Sequence, residues 1–336
     1  MKRLWGILGM AVICCSCEKE AADGPEDRKV DVRVAWDAAT KISVGESCVV
    51  GDTADIFVYD DDEIRRLDTY QRRVLGDGGI DVAATAGPKI VAMTVNGRTG
   101  RYSWTASNTY SYMESLDAEL EKETRDHPTM SGSCRTEGGY GCEIDLVPLM
   151  AKVTLRSIRC DFTGRGYEGE PFTDAKVYLT NVSSLCRMMD DGDSSLRGTL
   201  NTGMLREEDI GRMADPSLLV QELPESIGKD FVEVDRELFC YPNISSEDRF
   251  GTPFTRMVIE GKIEGRTWYY PINVNREDIC WVEGTPGVER GRNYVYDVTI
   301  KRTGSLDPDV PVSVVEASVI CEVLPWEEKE ERDEEY

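Results

Sequence analysis

Apolar side chains fall on every second position in run after run of this chain, and the runs stop at turn-forming residues. A spacing of two puts those side chains on one face of an extended strand, because successive side chains of a strand point to opposite faces. Val30, Val32, Val34 and Trp36 alternate with polar or small residues. Residues 55–59 form a compact β-rich run ending at Asp60-Asp61-Asp62, and residues 89–95 end at Asn96-Gly97, a hairpin-type turn signal. Beyond Pro148, residues 151–158 alternate cleanly, and 176–180, 256–261, 267–274, 294–301 and 313–323 continue the pattern. The clearest helix expectation covers residues 109–123, with Tyr112, Leu116 and Leu120 on one stripe. Residues 188–223 are polar and weakly patterned, which predicts loops and a short helix.

Strands without an intervening helical rhythm argue against a doubly wound α/β fold and predict an all-β protein made of β-sandwiches. The length of 336 residues and a break near 142–148 predict two in tandem, over residues 30–147 and 148–326, with short helical insertions. Hydrophobic residues make up 40% of the chain, enough for real cores. Acidic side chains outnumber basic ones by 63 to 39, for a net charge of −24. That field repels nucleic acid and anionic headgroups, so no nucleic-acid partner is expected. Residues 327–336 read as a solvated, mainly acidic tail.

The N-terminus carries a targeting signal. Lys2 and Arg3 precede an apolar stretch over residues 4–13, and Cys14-Cys15-Ser16-Cys17 follows. This is the layout of a signal peptide. The stretch is far below the roughly 20 residues that span a bilayer as a helix. Cys17 after Ser16 resembles the lipobox of bacterial lipoproteins, with residues 1–17 as the signal and Cys17 as the lipidated residue. Glu18-Lys19-Glu20, at the head of a linker over residues 18–29, resembles the acidic run that marks lipoproteins for surface export in the Bacteroidetes. The other reading is a plain signal peptide cut nearby. Acyl chains on one cysteine hold a protein at a membrane by burying methylenes, at about 0.8 kcal/mol each.

Chemistry-bearing constellations are sparse. Of eleven cysteines, eight lie beyond the export signal, and no CxxC pair occurs among them. Cys134 and Cys142 flank Gly138-Gly139, which could turn a hairpin and join them as a disulfide; the alternative is two small core side chains. The remaining cysteines read as core residues. His127 is the single histidine, too few for a multi-histidine metal site, and it would have to serve any nucleophilic triad alone. Gly76-Asp77-Gly78-Gly79 reads as a turn. Asp60-Asp61-Asp62-Glu63 and Asp190-Asp191-Gly192-Asp193 lack the spacing of a calcium loop and read as solvated. No catalytic residue, no metal ligand and no cofactor is expected, and the chain reads as a non-enzyme.

Several fragments, in order, resemble the fimbrillins, subunits of type V fimbriae in Bacteroidetes, and their lipoprotein relatives. They are Ile56-Phe57-Val58-Tyr59-Asp60, Arg66-Leu67-Asp68-Thr69-Tyr70-Gln71-Arg72, Pro128-Thr129-Met130-Ser131-Gly132 and Leu149-Met150-Ala151-Lys152-Val153-Thr154-Leu155. Tyr241-Pro242-Asn243, Val258-Ile259-Glu260-Gly261, Tyr269-Tyr270-Pro271-Ile272, Arg292-Asn293-Tyr294 and Pro325-Trp326 follow. The resemblance implies two transthyretin-like β-sandwiches and a fibre-forming, adhesive role. It implies export as an outer-membrane lipoprotein, removal of the first strand by a protease, and filling of the groove by a strand of another subunit. A sandwich lacking a strand exposes unpaired backbone and an apolar slot, which a donated strand satisfies.

Transferred to this chain, the removable strand is Val30, Val32, Val34 and Trp36. The processing site is Lys41, with Arg28 and Arg33 less well placed. The donor lies in residues 312–323, with Val315, Ala317, Val319, Cys321 and Val323 as the groove-facing set, against the reading of an ordinary edge strand. Partners are then other fimbrial subunits, the outer membrane through the lipid anchor, and host proteins or glycans. A non-polymerising surface lipoprotein binding glycans or host proteins through its loops, or an anchor subunit, is the alternative. Exposed Trp104, Trp268 or Trp281 would favour sugar stacking, although single tryptophans on strands are more often core.

Overall fold

The computed structural model describes residues 29–38, 51–76, 79–97, 102–137, 141–189, 194–277, 285–313 and 316–326. The N-terminal half runs β1 (Lys29–Ala38), β2 (Thr53–Asp60), β3 (Leu67–Val74), β4 (Ile80–Thr85), β5 (Lys89–Val95), α1 (Tyr110–Ser115), β6 (Asp117–Glu119), β7 (Met130–Thr136) and β8 (Cys142–Pro148). Seven of these strands form one sheet in the order β3-β2-β5-β7-β8-β1-β4. β7 and β8 pair only at Met130 with Pro148 and at Ser131 with Val147. The sheet folds over at that short joint. Val32, Val34, Val82, Ile144 and Leu146 from β1, β4 and β8 then pack in one core with Ile56, Val58, Val91, Met93 and Val95 from β2 and β5. Side chains at every second position of each strand point into this core.

The C-terminal half runs β9 (Ala151–Cys160), β10 (Phe172–Thr180), β11 (Leu185–Arg187), α2 (Glu207–Ile210), β12 (Val220–Glu222), β13 (Ser226–Ile227), β14 (Val232–Cys240), β15 (Arg256–Ile263), β16 (Arg266–Asn273), β17 (Arg292–Ile300) and β18 (Ala317–Pro325). One sheet has the order β14-β9-β17-β18, the other β12-β10-β15-β16 with β13 also on β10. Val153, Leu155, Tyr296 and Val298 of the first meet Val177, Leu179, Ile259, Tyr270 and Ile272 of the second in a common core. The protein is all-β with its strands in several sheets. Among the described residues, no helix is long and apolar enough to cross a membrane.

Three local expectations are corrected. The helix read over 109–123 stops at Ser115, after one capped turn in which Thr109 Oγ1 accepts from the Tyr112 amide. Residues 117–119 instead pair as β6 with β11, residue for residue from Asp117↔Arg187 to Glu119↔Leu185. A partner distant in sequence therefore overrides the helical stripe, and Tyr112 is left exposed while Leu120 is buried. Asn96-Gly97 closes no hairpin: β5 lies between β2 and β7, and Asn96 (φ 60°) bonds Asp52 Oδ2 and the Pro128 carbonyl instead. The break near 142–148 is itself strand β8, and the passage to β9 is the buried pair Leu149 and Met150.

The two cores are bound together by polar contacts at buried positions. Glu123 is fully buried; its carboxylate accepts from Tyr241 Oη at 3.0 Å and from the Thr129 amide at 3.0 Å. Arg290 Nη2 donates to the Val147 carbonyl at 2.6 Å and to Ser131 Oγ at 3.0 Å. Both contacts fall on the joint where β7 meets β8.

Candidate functional site

β1 is seated between two strands in a staggered fashion. Its first half pairs antiparallel with β4, from Lys29↔Thr85 to Val34↔Ile80. Its second half pairs parallel with β8, from Val34↔Cys142 to Ala38↔Leu146. Val32 and Val34 are fully buried, and burying each contributes about 1.5–3 kcal/mol. Taking β1 away would strip β4 of its ladder partner and open a slot floored by Val82, Ile144 and Leu146. Val30 and Trp36 lie on the same strand, but their side chains are outside the described residues, as are Cys17 and Lys41.

β18 sits at the other extreme of the molecule's topology. It is the edge of its sheet and pairs antiparallel with β17 over its whole length, from Arg292↔Pro325 to Ile300↔Ala317. Ala317 is buried, while Val319, Cys321 and Val323 pack half-buried against the core and Ile320 points to solvent. Val315 lies outside the described residues, and the strand begins at Ala317, later than the residue 313 read from the pattern. On the polar face Arg156 of β9 reaches both Asp297 of β17 and Glu322 of β18, the latter at 3.3 Å. Trp326 closes the end, buried beside Phe239. In this arrangement β18 is an edge strand of its own subunit, in a different sheet from β1.

Cys134 of β7 and Cys142 at the start of β8 are joined as a disulfide with Cα atoms 6.2 Å apart. Cys160 and Cys240 are buried free thiols, and burial pushes both up to about 12; Cys186 is buried as well. Cys321 is disulfide-bonded, which corrects its reading as a plain core residue. His127 is exposed, with Nδ1 3.3 Å from Asp52 Oδ1. Trp104 is buried edge-on to Phe57, and half-buried Trp268 lies under the Arg266 guanidinium, so neither offers a bare sugar platform. Trp281 and residues 190–193 lie outside the described residues. No group of three metal-ligating side chains occurs among the described residues.

The acidic run after β2 does structural work. Asp62 Oδ1 accepts from the amides of Ile64 and Arg65, closing the turn. Asp60 and Asp68 hold the ammonium of Lys89, whose side chain is only 1% exposed. Burial alone would push the Asp68 carboxyl up, but bonds from Lys89 and from the Thr85 amide and hydroxyl outweigh it and hold it below the ordinary value of 3.8. A carboxyl depressed in the folded state stabilises fully above its unfolded value, and the contribution fades as pH falls through the folded one. Lys89 is raised, so its own contribution survives to the alkaline range. Urea midpoints are therefore expected to drop as pH falls below 3.8, and Asp68→Asn should flatten that decline. Equal acid slopes in the two proteins would assign it to other carboxyls.

No family model matches the sequence, and no curated protein matches it. Solved structures do match in fold. A candidate cell adhesion protein of Bacteroides eggerthii superposes with a TM-score of 0.64 at 14% identity, covering 89% of this chain and 97% of that one. A fimbrilin of Porphyromonas gingivalis gives 0.63 at 14% identity, covering 88% and 97%. A C-terminally truncated tip fimbrial protein of Porphyromonas gingivalis gives 0.52 at 12% identity, covering 89% and 100%. With its sheets in this order and nearly full coverage of both chains, the protein has the fimbrilin fold.

Proposed function

We propose that the protein is a structural subunit of a cell-surface fimbrium, exported as a lipoprotein on Cys17 and assembled by protease-triggered strand exchange. The fold it shares with fimbrial proteins supports a place among other fimbrial components at the cell surface. The observation that carries the reading is the seat of β1. A strand at the chain's N-terminal side fills an apolar slot between β4 and β8, and it is joined to β2 by a linker containing Lys41. Cleavage in that linker would leave β1 held only by non-covalent contacts. Its departure would present unpaired backbone on β4 and β8 and a slot matched to alternating apolar side chains. The apolar alternation of β18 suits it as the incoming strand from a second copy, provided it leaves β17.

Protein lacking residues 1–17, treated with limited trypsin and run unheated on a denaturing gel, tests this. Strand exchange predicts a ladder of heat-sensitive multimers whose N-terminus starts just after β1. Because Cys321 is disulfide-bonded, the assay is run with and without reductant. A trimmed monomer under both conditions would overturn assembly by this route.

A further inference from the structure

A cavity of about 550 Å³ opens beside the C-terminal sandwich, and neither β1 nor β18 lines it. Four separate stretches build it: Asn181 just after β10, Thr199 and Thr202 in the following loop, residues 248–256 leading into β15, and Asp309 between β17 and β18. Its base is rigid. The Arg256 side chain is only 4% exposed, and its guanidinium donates to Asn273 Oδ1 at 2.9 Å and to the carboxylates of Asp248 and Asp309. Asn181 Nδ2 adds a bond to Asp309 Oδ1 at 3.3 Å. Asp309 nevertheless keeps half of its side chain in solvent. Its Oδ2 has no partner among the described residues. Fixed carboxylate geometry with an unused oxygen is what a hydroxyl donor needs, since bonds to an ionised acceptor are about twice as strong as neutral ones.

At the lip stands Phe250, 106% exposed. Large aromatics bury most of their surface in folded proteins, and an exposed ring beside a polar cavity is a face on which a ligand can stack. The size falls within the roughly 300–1,000 Å³ of small-ligand sites. Charge decides the ligand class. Asp248 and Asp309 are balanced by Arg249 and Arg256, so the lining carries no net charge, while the whole chain carries −24. An anionic ligand would meet a repulsive far field with no compensating local one.

From this geometry we infer that the cavity is a binding site for a neutral pyranose sugar. One C–H face of the ring lies on Phe250, and its hydroxyls donate to Asp309 and bond to Thr199 and Thr202. The site stands apart from strand exchange, and a polymerising or a non-polymerising protein would display it equally. Protein lacking residues 1–17 is applied to an array of neutral, sialylated and sulfated oligosaccharides, and binding to the best neutral probe is then titrated by calorimetry. Binding is expected on neutral glycans, at least tenfold weaker for Phe250→Ala and for Asp309→Asn. Because Phe250 makes no buried contact, the melting temperature of Phe250→Ala should stay unchanged, so loss of binding there cannot be loss of fold. Absence of neutral-glycan binding overturns the inference. Binding that Phe250→Ala leaves intact, or binding confined to sialylated or sulfated probes, does the same.

Discussion

Val34→Asp is expected to unfold the N-terminal sandwich and leave the C-terminal one standing. Val34 is fully buried, and it is the residue at which β1 changes partners from β4 to β8. An aspartate there would bring an ionised carboxylate among Val82, Ile144 and Met93, at a cost of several kcal/mol without a compensating cation. The lost valine contacts add about 2 kcal/mol. Domain stabilities are about 5–15 kcal/mol, so the sum takes most or all of the margin. Hydrogen exchange should show amide protection lost in β2, β5 and β7 but kept in β9, β15 and β17. Val34→Ala should cost only about 2 kcal/mol and preserve the exchange pattern. Wild-type protection in Val34→Asp would show that β1 contributes little to the core, which would also weaken the strand-exchange proposal.

Gly132→Ala should be nearly as damaging, for a steric reason. A Cβ at this position would lie 2.1 Å from the Asp145 carbonyl oxygen and 2.6 Å from Ile144 Cγ2. The first obstacle is backbone and cannot swing aside, so β7 would have to move away from β8. The ladder between the two strands is only Met130–Pro148 and Ser131–Val147, Arg290 bonds both Ser131 and Val147 there, and the Cys134–Cys142 disulfide ties the strands farther along. Overpacking costs about 1–3 kcal/mol, and each hydrogen bond lost at the joint adds about 1 kcal/mol. A total of about 3 kcal/mol or more is expected, read as a lowered urea midpoint. An unchanged midpoint would mean that the joint has slack the packing does not reveal.

The same joint explains why Pro128-Thr129-Met130-Ser131-Gly132 stands out as a motif. Thr129 gives its amide to Glu123, Met130 enters the N-terminal core, Ser131 receives Arg290, and Gly132 lets β8 cross at contact distance. Four demands fall on consecutive residues, so the residue types there are closely constrained. The reason for each was not visible without the partners.

What the sequence determined by itself was the class of fold and several of its strands. Residues 151–158 became part of β9 because alternation is a local property, set by the two-residue repeat of an extended chain, and residues 89–95 became β5 as a short β-rich run buried on both faces. The inward set of the C-terminal strand was legible for the same reason: Ala317, Val319, Cys321 and Val323 do face the core. Strand β3, Leu67–Val74, was invisible as a strand because its side chains are half-buried or exposed throughout, so no alternation marks it. The helix over 109–123 failed because its second half had a better partner in β11, more than sixty residues away. Asn96-Gly97 marked a turn correctly in kind but could not say which strands it would join. The cavity beneath Phe250 was beyond any reading of the chain. Asn181, Thr202, Arg256 and Asp309 carry no shared pattern, and only the pairing of β10 with β15 and the folding of two loops beside them bring them to one place. Periodicity is written in neighbours along the chain, whereas a site is written in neighbours across it, and folding alone supplies those.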